Sequence, residues 1–144
     1  MLKGIPSILP PELLKILMEM GHGDELVIGD GNFPAASHAQ RLVRCDGHDV
    51  PTLLNAILKL FPLDRFVESP VALMAVVDGA GEPDPPIWEI YNNILKNHEP
   101  VNNGVKLEER FAFYERAKKA YAIVATGETA LYANIILKKG VIEE

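Results

Sequence analysis

One cysteine, Cys45, is all that the 144 residues contain. No intrachain disulfide can form, and no cysteine-based zinc site can be assembled. Cys45 itself reads as a small buried hydrophobe. No apolar run approaches the ~20 residues that a membrane-spanning helix needs. Positive charge is also scarce: fourteen Lys and Arg stand against twenty Asp and Glu, a formal net charge of −6. Binding to a phosphate backbone and attachment to an anionic membrane both call for the opposite balance, so neither a nucleic acid nor a membrane is expected as a partner. The P-loop pattern GxxxxGK[ST] is absent, as are HExxH, CxxC and GxSxG. Gly21-His22-Gly23 and Gly29-Asp30-Gly31 begin like dinucleotide loops, but Leu26 and Pro34 occupy the places of the third glycine. A P-loop enzyme, an NAD enzyme and an α/β-hydrolase are therefore disfavoured. Residues 1–6 lack the apolar stretch of a signal peptide, so a soluble cytoplasmic protein is expected.

What is present is ordinary in amount. Apolar residues make up 48% and charged residues 24%. A chain of this length suits one domain, 1–144, and buries roughly 68–70% of its unfolded surface, enough for a core without staples.

Periodicity assigns most of the chain. Helices are expected over 11–20, with Leu13, Leu14, Leu17 and Met18 as the apolar stripe, over 50–61, and over 87–96 through Ile87, Ile90, Tyr91, Ile94 and Leu95. A fourth, 110–120, turns Phe111, Tyr114 and Ala117 inward and Arg116, Lys118 and Lys119 mostly to solvent. Strands are expected over 25–30, 71–77, 121–125 and 134–137. Residues 31–40 and 97–104 read as loops, and 78–86 (DGAGEPDPP) as a turn-rich breaker. Helices alternate with strands too apolar to have a wet face. This is an α/β domain with helices on both sides of the sheet.

Four places hold polar residues that packing does not explain. His22 lies in Gly21-His22-Gly23-Asp24, between a helix and a strand. It is either a solvated loop residue or a general acid/base, since imidazole titrates closest to neutral pH. Asp30 ends the first strand, on the edge where open α/β sheets bind ligands; a turn-forming role is the alternative. Tyr132 and Asn134, if they open a strand, share one face and offer donors and acceptors to a polyhydroxyl ligand. They could equally be an aromatic and a capping residue. Arg110 opens a helix, where the dipole prefers an acid, and Glu108 and Glu109 are better placed for that. It serves a ligand or a surface salt bridge. His22, Asp24, Asp30 and His38 are potential metal ligands, but their spacing matches no metal signature, and no metal is expected. His48 and His98 read as solvated loop residues.

Three blocks together resemble the fucose mutarotase and ribose pyranase family, RbsD/FucU: Met20-Gly-His-Gly-Asp-Glu25 with Asp30 and Asn32-Phe-Pro34; Arg110-Phe-Ala-Phe-Tyr-Glu-Arg-Ala117 with Ala125-Thr-Gly-Glu128; and Tyr132-Ala-Asn-Ile-Ile-Leu-Lys-Lys-Gly-Val141. They run in the family's order over nearly the whole chain. Arg110 stands where the ribose branch usually has histidine, so the resemblance is to the fucose branch. It implies a three-layer α/β/α subunit with a mostly parallel or mixed sheet. It also implies interconversion of sugar anomers without a cofactor, with His22 transferring the proton and Asp30, Arg110, Tyr132 and Asn134 binding a neutral, fucose-like monosaccharide. A homo-oligomer is implied as well, commonly a decameric ring with sites at subunit contacts. Gly29 and Gly31 depart from the family, where alanine or another side chain is frequent, and would loosen the loop around Asp30. D-ribose pyranase activity and a non-catalytic sugar-binding or transport-accessory role are the alternatives.

The expected strand also sets a geometric problem. Residues 24–30, if straight, span about 20 Å. His22 and Asp30 then meet one sugar only if the chain between them curls, or if two copies of the chain come together.

Overall fold

A computed structural model describes residues 1–99 and 104–144 of the chain. In order they form α1 (Pro11–Glu19), β1 (Glu25–Gly29), α2 (Ala35–His38), β2 (Leu42–Cys45), α3 (Val50–Leu58), β3 (Val71–Met74), α4 (Pro86–His98), β4 (Lys106–Glu108), α5 (Arg110–Lys119), β5 (Ala122–Thr126) and β6 (Ile135–Lys138). Proline stands in the first turn of α1, α3 and α4. Its missing N–H costs nothing there and its fixed φ favours the helix. Asp49 caps α3 by accepting from the Thr52 N–H, and Glu109 caps α5 by accepting from Phe111 and Ala112.

The six strands form one mixed sheet, ordered β2-β5-β1-β6-β3-β4. β1 runs parallel to β5, β5 to β2, and β3 to β4. β6 is antiparallel to both β1 and β3. Five strands therefore point one way, and the start of β6 lies beside the ends of its neighbours. Both faces are covered. Leu26 and Ile28 of β1 and Ile135 and Leu137 of β6 pack with Leu13, Leu53 and Tyr91 of α1, α3 and α4. Val27 and Ile136, on the opposite face, pack with Ala35, Phe113 and Ala117 of α2 and α5. The α/β/α layering is as expected, and Cys45 is buried.

Several local expectations are corrected. Loop 31–40 contains the one-turn helix α2. The short strands β2 and β4 are not among those expected: β2 alternates exposed and buried residues over only four positions, and β4 has no fully buried one. In α5 Ala117 is buried as expected, but its aromatic partner there is Phe113, fully buried, while Phe111 is 65% exposed. Met18 and Ile90 are exposed, and Ile16 and Trp88 take their places in the core. Arg116 turns in toward Glu25 and Glu108. His98 ends α4 and bonds Asn55 at 2.7 Å. The remainder of the expected polar loop 97–104 falls partly on residues 100–103, outside the described residues.

Candidate functional site

The polar residues gather at two ends of the sheet. At the entry to β1, the turn after α1 is tied down from several directions. The Gly21 N–H donates to Asp24 Oδ2 at 2.7 Å, and Gly23 adopts φ 87° and donates to the Lys139 carbonyl. The Lys139 ammonium donates to the carbonyls of Leu17 and Met20, neutralising the partial negative charge at the end of α1. This turn presents His22, whose Nε2 lies 3.2 Å from Asp64 Oδ1. The imidazole is half exposed (47%), whereas the Asp64 side chain is only 4% exposed. Asp64 is fixed by its N–H donating to the Lys138 carbonyl and by the adjacent Leu63–Lys139 bridge. Its Oδ1 also accepts from the Phe66 N–H, and the Phe66 ring stands edge-on to His22 at 5.7 Å. A carboxylate that accepts from Nε2 orients the ring and leaves Nδ1 to exchange a proton.

Asp64 is the residue that sequence reading missed. It sits in Leu60-Phe61-Pro62-Leu63-Asp64 with no motif around it. A lone acid closing an apolar stretch was the only available signal.

At the other end lie the carboxyl ends of the parallel strands, where open α/β sheets bind ligands. Asp30 follows β1, Arg110 follows β4, and Tyr132 and Asn134 precede β6. The Asp30 N–H donates to Asn134 Oδ1 at 2.8 Å, and Asp30 Oδ1 accepts from the Asn32 N–H at 3.0 Å. Asp30 is 6% exposed. Burial pushes its carboxyl above the ordinary value, against the pull of backbone N–H groups from Asn32, Ala133 and Phe33; the nearby charge of Glu128 pushes the same way as burial.

Glu128, also buried, braces this end. Its carboxylate accepts from the N–H groups of Val50 and Ala130, and its carbonyl accepts from Gly31 at 2.8 Å. The loop around Asp30 is tight rather than loose. A Cβ at Gly29 would lie 2.8 Å from the Phe33 ring, and one at Gly31 would lie 3.0 Å from the Glu128 carbonyl. Glycine is what lets these segments approach.

Tyr132 has φ 55°, so it does not open a strand, and the alternation that would put it on one face with Asn134 does not apply. Its hydroxyl accepts from the Val77 N–H at 3.3 Å. Arg110 Nε donates to the Tyr114 hydroxyl at 3.3 Å, and its guanidinium lies within electrostatic reach of Tyr132. Tyr114 is wedged between Phe33 and His38, with ring centroids 5.8 and 5.5 Å away. Asp30, Arg110, Tyr132 and Asn134 thus share one end of the sheet, and His22 stands at the other. β1 is paired in register with β5 and β6 along its length, so the chain between His22 and Asp30 does not curl. The four potential metal ligands are likewise split between the two ends. Among the described residues no three His, Cys, Asp or Glu form a metal-holding group.

A hollow of about 350 Å³ lies beside Tyr132, lined by Leu131, Ile87 and Pro86 among others, and one of about 270 Å³ beside Asp30. A larger one, about 690 Å³, is lined by the Arg116, Glu25 and Glu108 ion pairs and touches none of the five candidate residues.

Comparison with known proteins gives the lineage. The profile of the RbsD / FucU transport protein family matches residues 3–142. A fucose mutarotase of Danio rerio is 57% identical, covering 98% of this chain and 94% of its own. A fucose mutarotase of Homo sapiens is 54% identical with the same coverage. The crystal structure of the fucose mutarotase in complex with L-fucose from Streptococcus pneumoniae superposes with a TM-score of 0.94, at 54% identity, covering 99% of this chain and all of that one.

Proposed function

The chain belongs to the RbsD / FucU transport protein family, and from that premise we propose that it is an isomerase interconverting the α and β anomers of L-fucose. The observation that carries this is the near-complete, 54% identical match to a fucose mutarotase whose structure holds L-fucose. A neutral sugar agrees with a chain of net charge −6; a sugar phosphate would ask for a cluster of unpaired cations.

Mutarotation opens a hemiacetal and recloses it on the other face. A base takes the proton of the anomeric hydroxyl while an acid protonates the ring oxygen; the bond from C1 to that oxygen breaks, the aldehyde turns, and the steps reverse. His22, steered by Asp64, is the proton-transferring residue in this reading. Asp30, Arg110, Tyr132 and Asn134 hold the sugar hydroxyls. A positioned acid or base contributes roughly 10²–10⁴-fold, enough for a reaction that already runs slowly in water. No cofactor is needed in this scheme.

His22 and the sugar-holding residues lie at opposite ends of a straight strand, which supports a site completed by a second copy of the chain. We therefore read the protein as a homo-oligomer, a decameric ring in the family's manner, working in the cytoplasm. A non-catalytic sugar carrier would need hydroxyl partners but no imidazole beside a buried carboxylate, so the His22–Asp64 pair favours the enzyme.

The test is anomeric exchange measured by NMR on L-fucose, D-ribose and galactose. Fucose exchange should accelerate most. His22→Ala should lower kcat by about 10²-fold or more. No acceleration of any sugar would overturn the enzyme reading, and full activity in His22→Ala would overturn the role given to His22.

A further inference from the structure

Among the described residues Tyr132 is the only non-glycine with positive φ. An aromatic side chain leaves the left-handed region unless its surroundings over-determine it. Here the surroundings do so through α4. The Trp88 indole N–H donates to the Tyr132 carbonyl at 2.8 Å, and the Tyr91 hydroxyl donates to the next carbonyl, Ala133, at 2.6 Å. Residues 88 and 91 are three apart, so both donors come from one face of the helix. Trp88 and Tyr91 are buried, and Ala133 is fully so. Burial pushes the Tyr91 phenol well above its ordinary range, so it remains a donor wherever the protein is folded. The clamped backbone leads directly to Asn134, which accepts from Asp30.

We propose that Trp88 and Tyr91 are positioning residues for the sugar: together they hold the 132–133 backbone so that the Tyr132 phenol and the Asn134 amide meet one ligand ready-placed. Neither touches the sugar. Without their donors, two consecutive carbonyls lose their buried partners, and the segment is free to leave its left-handed conformation. The proposal rests on the reading that Tyr132 and Asn134 bind the substrate. It predicts a change in binding rather than in the proton-transfer step, which belongs to His22.

Tyr91→Phe and Trp88→Phe each remove one donor while keeping a ring in the core. For L-fucose, each should raise KM about tenfold, the effect of one lost hydrogen bond, with kcat within about twofold of wild type. Tyr121→Phe, which removes a phenol bonded at 3.0 Å to Glu19, serves as the control and should change neither constant. KM values within about twofold of wild type, or a fall in kcat at unchanged KM, overturn the proposal.

Trp88 is the chain's single tryptophan, so a second readout needs no variant. Its indole N–H resonance in the wild-type protein should shift as L-fucose is added, saturating near KM. A resonance that stays still at saturating sugar overturns the proposal. A wild type whose indole signal moves without any accelerated exchange would remove the catalytic reading and leave the positioning one standing.

Discussion

Asp30 pairs a stability cost with the binding role proposed for it. Its carboxyl sits above the ordinary 3.8 because burial disfavours the ionised form, with the charge of Glu128 adding to the effect. An acid whose pKa is raised on folding binds its proton more tightly folded than unfolded. Stability therefore declines as pH rises from the unfolded to the folded value, and stays reduced above it. Asp30→Asn removes the titrating group while keeping one acceptor oxygen. It should raise Tm near pH 7, and the gain should shrink as pH falls toward about 4. Calorimetry at the two pH values checks this; an equal gain at both would remove burial as the cause. The same variant should lose fucose affinity, the usual exchange of function against stability at a binding site. At the other end of the sheet, Asp64→Asn should lower kcat while leaving Tm little changed, because the amide still accepts from the Phe66 N–H but no longer steers the imidazole as a carboxylate.

Among the secondary-structure elements, α5 shows how a helix opened by charge finds its face. Mixed charge blurs its amphipathic pattern, and sequence spacing alone turned Phe111 inward. The sheet receives Phe113 in its place, with the expected Ala117 at i+4, while Phe111 and Arg110 stay at the open end. Phe113→Ala should cost about 3–5 kcal/mol in urea denaturation, and Phe111→Ala about 0.5 or less. α1, α3 and α4 were readable because proline in the first turn and strong apolar periodicity agree with one another. β2 and β4 were not: strands of four and three residues at the two sheet edges carry too few buried positions to show a period.

For the whole molecule the decisive fact is the separation of His22 from Asp30. Both belong to short recognisable blocks, and both flank the same strand. That strand is straight because two neighbours pair with it in register. If each site draws His22 from one copy and Asp30 from another, two inactive variants can repair each other. His22→Ala and Asp30→Asn subunits, dissociated and reassembled in equal amounts, should regain activity at about a quarter of the sites. Mixing without reassembly should regain none. Anomeric exchange by NMR measures both, and no recovery after verified reassembly would place all catalytic groups within one chain.

The amino-acid order by itself determined the layered α/β class, through strands apolar on both faces, and singled out His22, Asp30, Arg110, Tyr132 and Asn134 as candidates, through blocks that match a family in order. These are local properties, carried by neighbours a few residues apart. Only the tertiary structure decided that β6 runs against the other strands and that Asp64 stands under His22, 42 positions away. It also decided that Tyr132 is held left-handed by two donors from α4. Each of these depends on which distant segments pack side by side, and hydrogen bonds between them leave no period in the sequence that a local reading could detect.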